Sequence, residues 1–239
     1  MELADFKALT FDVYGTLIDW ETGIVNGLKP LTDKVGGLTR NQILEAHAHH
    51  ESTTQRYTPY KTYSNLLAVV YKRLAEEWEV PACWEECLTY GMSVKNWPAF
   101  DDSAEALAYL KQYYKLVVLS NVDNESFAQS LKKLGVEFDA AYTAGDIGSY
   151  KPADRNFDYM LQNLDRMGIC KSEVLHTAES MFHDHGPANR HGIANCWIYR
   201  RHGKKGFGAT MHPGEMPGCN FMFHSMAEMV EAHREKPGI

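Results

Sequence analysis

Short apolar segments alternate with longer amphipathic segments along the second half of the chain, and this alternation restricts the fold more than any other feature. The run Leu-Val-Val-Leu at 116–119 is apolar throughout, which is typical of a strand buried on both faces. Further short strands are predicted at 7–11, 138–143, 174–177 and 195–199. Helices are predicted at 101–114 and at 125–134, where Gly135 is a stop signal. Strands separated by helices indicate an α/β fold with a parallel sheet.

The segment between the first two predicted strands is helical and contains no comparable strand. Helical patterns cover 43–52 and 63–78, and one apolar stripe, expected to be a packing seam, consists of Leu66, Leu67, Val70 and Leu74. A helical block inserted after the first strand of such a sheet is most simply a cap over the end of that strand. We therefore predict a core domain of residues 1–16 and 97–239 and a cap domain of residues 17–96.

Composition limits the classes of function. The chain has 239 residues, 44% of them hydrophobic and 23% charged, as in a globular protein. Its net charge of −7, with acids and bases mixed, predicts no nucleic-acid or membrane partner. No apolar run approaches the roughly 20 residues that span a bilayer, and the start Met-Glu-Leu-Ala-Asp lacks the basic residues of a signal peptide. We expect a cytoplasmic protein.

The five cysteines are odd in number and scattered, which argues against a disulfide framework. Cys83 and Cys87 are four residues apart, and no second pair completes a zinc site of the usual spacing. Free thiols are therefore expected.

Asp12 ends the first predicted strand, within the segment Phe-Asp-Val-Tyr-Gly-Thr-Leu at 11–17. Open α/β sheets bind ligands at the carboxyl ends of their strands. Gly15 permits a sharp turn there, and Thr16 can hydrogen-bond the carboxylate and fix its angle of attack. Such a carboxylate can act as a nucleophile, forming an ester that water later cleaves. Taken alone, the segment is equally consistent with a turn capped by an aspartate.

Three further motifs follow in chain order. Ser120 and Asn121 end the second core strand with a hydroxyl and an amide, which are neutral partners for a substrate carboxylate. Lys151 precedes a proline and can neutralise the negative charges of Asp12 and the substrate. The strand at 174–177 leads to a second acid, Asp184. Each motif alone has a structural explanation, but together they indicate an active site.

The complete set resembles the haloacid dehalogenase superfamily, and in particular its type II 2-haloacid dehalogenase branch. The matching segments are Phe-Asp-Val-Tyr-Gly-Thr-Leu at 11–17, Leu-Ser-Asn-Val-Asp at 119–123, Ser-Tyr-Lys-Pro at 149–152 and Phe-His-Asp-His at 182–185. The resemblance covers nearly the whole chain. It implies a Rossmann-like core with a helical cap that closes over the cleft, and it suggests a homodimer.

The resemblance also implies roles for the motif residues. Asp12 is the implied nucleophile, and Ser120 and Asn121 are the implied substrate binders. Lys151 is the implied charge-neutralising residue. Asp184, together with Lys151, is implied to position the hydrolytic water.

Tyr14 bears on the type of reaction. Phosphatases of the superfamily resemble this core but usually carry a second aspartate two residues after the nucleophile, as a general acid. Here that position is Tyr14, whose phenol, with an ordinary pKa near 10, donates a proton poorly at neutral pH. A halide leaving group needs no proton, so Tyr14, itself a candidate substrate contact, favours displacement at carbon. We expect Asp12 to attack C2 of a small 2-substituted carboxylic acid and yield a 2-hydroxy acid, without a metal or other cofactor.

Two positions depart from the dehalogenase pattern. Glu179 stands where the phosphatases place a metal-binding acid, and with Asp12 and Asp184 it could complete a Mg²⁺ site. Dehalogenases carry a cap arginine that receives the halide. Arg40 is the nearest candidate here, and a solvated arginine at a helix start is an equal alternative.

Three alternatives to a dehalogenase therefore stay open. An extra acid such as Glu179 would suit an amine leaving group, as in the azetidine-2-carboxylate hydrolases, which resemble the same branch and open the strained C2–N bond of L-azetidine-2-carboxylate. A Mg²⁺-dependent phosphatase is the second alternative. A non-catalytic binding module is the third, and the complete set of motif residues disfavours it.

The predicted cap offers further candidates. Tyr60, with its neighbours Tyr57 and Lys61, is expected to line the cap side of the cleft or to pack against it. His47 and Glu51 belong to a helical patch with the sequence His-Ala-His-His-Glu at 47–51. For this patch we expect a solvated polar face, with metal binding by the histidines as the alternative.

Overall fold

A computed structural model describes residues 1–235 of the chain, and within them six parallel strands form one sheet. The strands are β1 (Ala8–Phe11), β2 (Lys115–Ser120), β3 (Ala140–Thr143), β4 (Val174–Ala178), β5 (Ala194–Ile198) and β6 (Phe221–Phe223). Their order across the sheet is β3-β2-β1-β4-β5-β6. The predicted α/β fold with a parallel sheet is confirmed.

The order of the strands places the end of β1 at the centre of the carboxyl edge. β1 is buried along its whole length and pairs with β2 on one side and β4 on the other. Phe11 is in register with Val118 of β2 and Thr177 of β4, so the three strands end close together. The chain winds from β1 toward β3 and then returns to the other side of β1. This reversal creates the crevice in which open parallel sheets bind ligands.

Four helices lie between residues 20 and 91, where the sequence predicts a cap. They are α1 (Trp20–Val35), α2 (Arg40–Tyr57), α3 (Tyr63–Glu77) and α4 (Trp84–Gly91). α2 begins with a capping box in which the Thr39 hydroxyl accepts from the backbone N–H of Gln42. The apolar stripe of α3 is fully buried, which confirms the predicted packing seam. The boundaries at 17 and 96 stay a prediction.

Two segments connect this helical block to the sheet, and they run side by side. Ile18 forms an antiparallel bridge with Ala99. The backbone N–H of Asp19 donates to the carbonyl of Pro98 at 2.8 Å, and that of Phe100 donates to the carbonyl of Leu17 at 3.0 Å. The connection is therefore a short two-stranded link.

The remaining helices flank the sheet. They are α5 (Ser103–Leu110), α6 (Asn124–Leu134), α7 (Ala144–Ile147), α8 (Asp154–Arg166), α9 (Gly186–Arg190) and α10 (Met226–Arg234). α6 ends at Gly135, in the left-handed conformation at φ +69°, as the sequence predicts. One apolar core lies between the sheet and α8, around Phe157 and Met160. A larger core joins the other face of the sheet to the four inserted helices.

Several element boundaries differ from the predictions. The predicted helix at 101–114 is shorter, and the predicted strand at 138–143 begins only at Ala140. The carboxylate of Asp139 accepts from the backbone N–H of Leu116 and from Lys111, so the side chain of Asp139 bonds to the first part of β2 where a strand residue would pair through its backbone. The tail beyond 199 forms β6 and α10, which the sequence did not reveal.

Two further findings concern the described residues. None of their helices combines the length and apolarity that crossing a bilayer requires. All five cysteines are free thiols, as predicted.

Gly23 provides a test of the packing of α1 against the segment that leads back to the sheet. A Cβ at this position would overlap the buried indole of Trp97. We expect Gly23→Ala to lower the free energy of unfolding by about 1–3 kcal/mol, as overpacking does in closely packed cores. Denaturant unfolding followed by circular dichroism measures the change. Gly218→Ala is the matched control, since a Cβ there meets no atom within 4 Å; equal stability of the two variants would contradict the packing.

Candidate active site

Four of the predicted catalytic side chains meet at the carboxyl edge of the sheet. The Nζ of Lys151 lies 2.9 Å from Oδ1 of Asp12 and 2.6 Å from Oδ1 of Asp184. The same ammonium donates to the backbone carbonyl of Leu119 at 3.0 Å. The Thr16 hydroxyl donates to Oδ2 of Asp12 at 2.8 Å. The structure thus brings together one buried cation and two buried carboxylates.

The turn after β1 sets the position of Asp12. Gly15 has φ +101°, a conformation that side chains rarely adopt, and it folds the chain back so that Thr16 reaches Asp12. The Thr16 hydroxyl also accepts from the backbone N–H of Glu179 at 2.9 Å. This single hydroxyl therefore ties the ends of β1 and β4 together.

Asn121 positions Lys151 rather than standing free for a substrate. The backbone N–H of Lys151 donates to Oδ1 of Asn121 at 2.7 Å, and Nδ2 of Asn121 donates to the Lys151 carbonyl at 3.0 Å. The amide group is thus engaged on both sides, although the residue still lines the cavity described below. Ser120 differs, because its buried hydroxyl has no hydrogen-bond partner in residues 1–235. Of the two predicted substrate binders, Ser120 has the free polar atom.

Opposite charges decide the protonation of this cluster. Burial opposes the charge of Lys151, but Asp12 and Asp184 outweigh it and raise the pKa of the ammonium. Burial likewise opposes the ionisation of Asp184, yet Lys151 and His176 hold the pKa of this carboxyl well below its usual range. Burial raises the pKa of Asp12, with Lys151 acting in the opposite direction. A carboxylate that is poorly solvated in this way is a stronger nucleophile when ionised.

His176 belongs to the site, although the sequence analysis did not assign it a role. Its Nε2 lies 2.9 Å from Oδ1 of Asp184, and its Nδ1 lies 2.8 Å from the Thr10 hydroxyl. Burial lowers the pKa of the imidazole, so it is neutral at physiological pH. Thr10 and His176 are paired in register on β1 and β4, and a polar pair inside two apolar strands is the signal that was missed.

A small cavity lies over these residues, with an open volume of about 20 Å³, enough for about one water molecule. The core and the inserted helices both line it. The core contributes Asp12, Tyr14, Asn121, Val122, Lys151, Ser180, His183 and Asp184. The helices contribute Trp20, Glu51, Gln55 and Tyr63. The free volume in this conformation is therefore smaller than a small carboxylic acid requires.

Tyr14 lines this cavity, but its hydroxyl lies 2.7 Å from the Ser130 hydroxyl on α6. Burial raises the pKa of the phenol above its ordinary value. Both observations support the view that Tyr14 is a poor proton donor.

The structure leaves four predicted binding residues outside the lining of the cavity, namely Ser120, Arg40, Tyr60 and Glu179. Arg40 begins α2 with a side chain that is 44% exposed, and it donates to the Thr22 hydroxyl at 3.2 Å. Tyr60 is 81% exposed and lies beside Gly148, at a separate surface pocket. Glu179 lines a second small cavity that shares only Trp20 with the first. Arg40 was predicted as the cap arginine, Tyr60 as a cap residue at the cleft and Glu179 by the position of an acid in the phosphatases, but none of the three lines the cavity.

Glu51 corrects the expectation of a solvated patch on α2. Its side chain is buried within the cavity wall, and its carboxyl accepts from the Tyr63 hydroxyl at 2.9 Å and from Nε2 of Gln55 at 3.2 Å. Burial raises the pKa of Glu51 to about 7. His47 is also fully buried, and burial lowers its pKa to about 3. The patch is buried on this side because α3 and α4 cover it through Tyr63 and Tyr90.

The residues at the site fit a divalent cation poorly. Asp12 and Asp184 each direct Oδ1 at the ammonium of Lys151, and Glu179 does not join them in the cavity. Across residues 1–235, no three acidic, histidine or cysteine side chains are grouped as a metal site would require. The donor set thus offers two carboxylates already bound to a lysine.

Glu179 makes the stability of the fold depend on pH. Burial raises its pKa to about 8, with Glu21 and Asp12 adding to the effect. Because the unfolded chain loses this proton near pH 4.5, stability falls as the pH rises from 4.5 to about 8. Each pH unit in that window costs at most about 1.4 kcal/mol.

We therefore expect Glu179→Gln to remove this loss, so that the variant gains stability over the parent at pH 8 and not at pH 5. Denaturant unfolding at both pH values measures the difference. Glu137→Gln, at an exposed position, is the control. A Glu179→Gln profile parallel to that of the parent would contradict the shift.

Comparisons with known proteins agree with this geometry. A family model described as haloacid dehalogenase-like hydrolase matches residues 6–177. No curated protein matches the chain. Three similar solved structures illustrate the shared fold. A defluorinating L-2-haloacid dehalogenase has a TM-score of 0.76 at 16% identity, covering 98% of each chain.

The L-2-haloacid dehalogenase of Xanthobacter autotrophicus, with chloropropionic acid covalently bound, has a TM-score of 0.75 at 15% identity, covering 96% of this chain and 99% of that one. The HAD-hydrolase YfnB of Bacillus subtilis, bound to magnesium, has a TM-score of 0.73 at 16% identity, covering 95% and 97%. Likeness at these identities shows a common fold. Since the family model spans well over half of the chain, the protein belongs to the haloacid dehalogenase-like hydrolases.

Proposed function

We propose that the protein displaces a leaving group from C2 of a small 2-substituted carboxylic acid through an ester on Asp12, and releases a 2-hydroxy acid. The observation that carries this proposal is the position of Lys151, whose ammonium bridges Asp12 and Asp184 at 2.9 and 2.6 Å. This buried cation supplies the positive charge that lets a carboxylate nucleophile and an anionic substrate share one cavity.

In the first step, one oxygen of Asp12 attacks C2 from the side opposite the leaving group. Lys151 and Thr16 each hold one oxygen of the carboxylate, so its plane is fixed before the substrate arrives. The hydroxyl of Ser120, buried and without a partner in residues 1–235, is the candidate donor to the substrate carboxylate, and it does not line the cavity in this conformation. The bond between C2 and the leaving group breaks, and its electron pair departs with the leaving group.

In the second step, water attacks the carbonyl carbon of the Asp12 ester. Asp184 is suited to position this water, because its Oδ1 is held by Lys151 and His176 while its buried Oδ2 has no partner in the described chain. The oxygen from water stays in Asp12, and the oxygen that attacked C2 leaves in the product.

Halide displacement is the first candidate for the reaction. The dehalogenases of similar fold support it, and one of them holds chloropropionic acid covalently. Opening of a C2–N bond is the second candidate, and the carboxyl of Glu51 in the cavity wall favours it. Phosphoryl transfer has less support, because Tyr14 is engaged with Ser130 and donates a proton poorly.

Isotope transfer tests the ester directly. After a single turnover in ¹⁸O water at excess enzyme, with 2-chloropropionate and with azetidine-2-carboxylate in parallel, we expect mass spectrometry to find the label in the peptide that contains Asp12. The reason is that water attacks the aspartyl carbonyl and not C2. Asp12→Asn is the matched control and should show no turnover. Label found only in the released product would exclude the covalent route.

Chelation tests the role assigned to Lys151. We expect turnover to persist in excess EDTA, because the ammonium provides the positive charge at Asp12. The measurement is the initial rate before and after dialysis against the chelator. Lys151→Met, which keeps the length of the side chain and removes the charge, should lower kcat by at least about 100-fold, given the magnitudes typical of such electrostatic contributions. Loss of activity on chelation, restored by Mg²⁺, would instead support a phosphatase.

A further inference from the structure

Two adjacent residues that line the catalytic cavity, His183 and Asp184, each carry a buried polar atom that no protein group satisfies. They lie in a single turn of π-helix, Met181–His185, which follows β4. Of the side chains that line the cavity, these two have the buried polar atoms without a hydrogen-bond partner in residues 1–235, namely Nε2 of His183 and Oδ2 of Asp184. His183 is 8% exposed. Buried polar atoms left in this way indicate a bound water or ligand.

The other ring nitrogen of His183 is held by two hydroxyl groups. Its Nδ1 lies 3.1 Å from Oγ of Ser180 and 3.3 Å from Oγ1 of Thr210, and the two oxygens lie 2.9 Å apart. The Ser180 hydroxyl also accepts from the backbone N–H of His183 at 3.0 Å. Hydrogen bonds on the Nδ1 side therefore fix the orientation of the ring.

These hydroxyl groups also determine which nitrogen of His183 carries the proton. If Nδ1 accepts, Thr210 donates to Ser180 and Ser180 donates to Nδ1, so both hydroxyl protons have an acceptor. If Nδ1 carried the proton instead, one hydroxyl proton would have no acceptor among the hydrogen bonds of the described chain. Burial lowers the pKa of this imidazole to about 4, so it is neutral at physiological pH. The one ring proton thus lies on Nε2, which makes Nε2 a donor.

His185, two residues further along, shows what a purely structural histidine looks like in this turn. Its Nδ1 lies 2.9 Å from Oδ1 of Asn195, and its Nε2 lies 2.9 Å from the carbonyl oxygen of Ala178. Both nitrogens are therefore used to tie the turn to β4 and β5. His183 differs in having a nitrogen left for the cavity.

The nearest cation has no proton left for a further acceptor. The ammonium of Lys151 has three protons, and it donates to Asp12, Asp184 and the carbonyl of Leu119. The cavity has an open volume of about 20 Å³, which is room for about one water molecule. A water held between Nε2 of His183 and Oδ2 of Asp184 receives one hydrogen bond and donates one. Its second lone pair stays available for attack.

We propose that Nε2 of His183 is the hydrogen-bond donor that holds the hydrolytic water, with Oδ2 of Asp184 as the acceptor. This inference rests on the Asp12 ester proposed above, and it assigns His183 to the second step alone. The donor and the two hydroxyls that orient it, Ser180 and Thr210, lie beyond residues 6–177, the part of the chain that the family model matches.

The second step balances with these groups. The water oxygen bonds to the carbonyl carbon of the Asp12 ester, and one water proton passes to Asp184. The bond between that carbon and the oxygen that attacked C2 then breaks, and this oxygen takes the proton from Asp184. The other water proton is released as Asp12 returns to its carboxylate. His183 keeps its proton throughout, since it orients the water and does not act as a base.

Two substitutions of His183 separate the donor from the rest of the ring. His183→Asn keeps an oxygen that can accept from Ser180 but has no donor at the position of Nε2. His183→Gln is longer and carries its amide nitrogen close to that position, so it restores a neutral donor. His202→Asn is the matched control, because His202 is an exposed histidine. Circular dichroism establishes that each variant is folded.

Rapid quenching followed by mass spectrometry of the intact protein measures the two steps separately. The probes are 2-chloropropionate and azetidine-2-carboxylate, each at saturating concentration. We expect His183→Asn to form the ester at a rate within about 3-fold of the parent and to hydrolyse it about 100-fold more slowly, as misplacement of a reacting group does. The Asp12 adduct then accumulates. His183→Gln should recover part of the loss, and His202→Asn should behave as the parent.

The opposite distribution of effects would overturn the inference. If His183→Asn slows ester formation and no adduct accumulates, His183 contacts the substrate or its leaving group and not the water. If His183→Gln is no better than His183→Asn, a donor at Nε2 is not what the second step requires.

Two further measurements need no turnover. A high-resolution crystal structure of the parent protein should show an ordered water about 2.7–3.2 Å from both Nε2 of His183 and Oδ2 of Asp184, and this water should be absent or displaced in His183→Asn. Nuclear magnetic resonance of ¹⁵N-histidine-labelled protein at pH 7 should find the His183 proton on Nε2. An empty position between the two atoms, or a proton on Nδ1, would contradict the proposal.

The two proposals fail in different ways. If ¹⁸O enters Asp12 in the parent protein while His183→Asn hydrolyses the ester at the parental rate, the inference about His183 is wrong and the Asp12 ester stands. If neither probe places label in Asp12, the proposed function is wrong and the inference falls with it.

Discussion

A single ammonium group holds the catalytic edge of this protein together. Lys151 is 1% exposed and contacts Asp12, Asp184 and the carbonyl of Leu119, so it joins the ends of β1 and β2 to the segment after β4. Burying two carboxylates without a cation would cost several kcal/mol for each. The cation makes their burial possible, and burial in turn leaves Asp12 poorly solvated. Assembly of the site and the poor solvation of Asp12 thus depend on the same ion pair.

The carboxyl edge and the inserted helices contribute different groups to the cavity. The edge contributes Lys151 between the carboxylates of Asp12 and Asp184. The helical wall contributes Glu51 and Gln55. Because the wall belongs to other elements of the fold, a substitution in the wall can change the charge of the cavity without altering the carboxyl edge. In this chain the edge is combined with an acidic wall residue, Glu51.

The sequence was sufficient for the fold and for much of the site, for a physical reason. Parallel strands end at one edge, so polar residues that follow apolar runs, such as Asp12 and Lys151, could be placed together without coordinates. Residues on the inserted helices could not, because α2 is polar on both sides and its pattern does not reveal which face is buried. Glu51 was therefore expected in solvent, while Arg40 was expected near the cleft from its place in the chain. His176 was missed because the sequence of a short strand does not show which residue of the neighbouring strand lies beside it, in this case Thr10.

The antiparallel bridge between Ile18 and Ala99 has a mechanical consequence. Ile18 also accepts the backbone hydrogen bond of Gly15, in the same turn that presents Thr16 to Asp12. A rotation of the helical block about this link would therefore be transmitted to the turn that carries Thr16. The connection of the helical block to the sheet and the shape of the turn beside Asp12 thus share the four backbone residues 15–18.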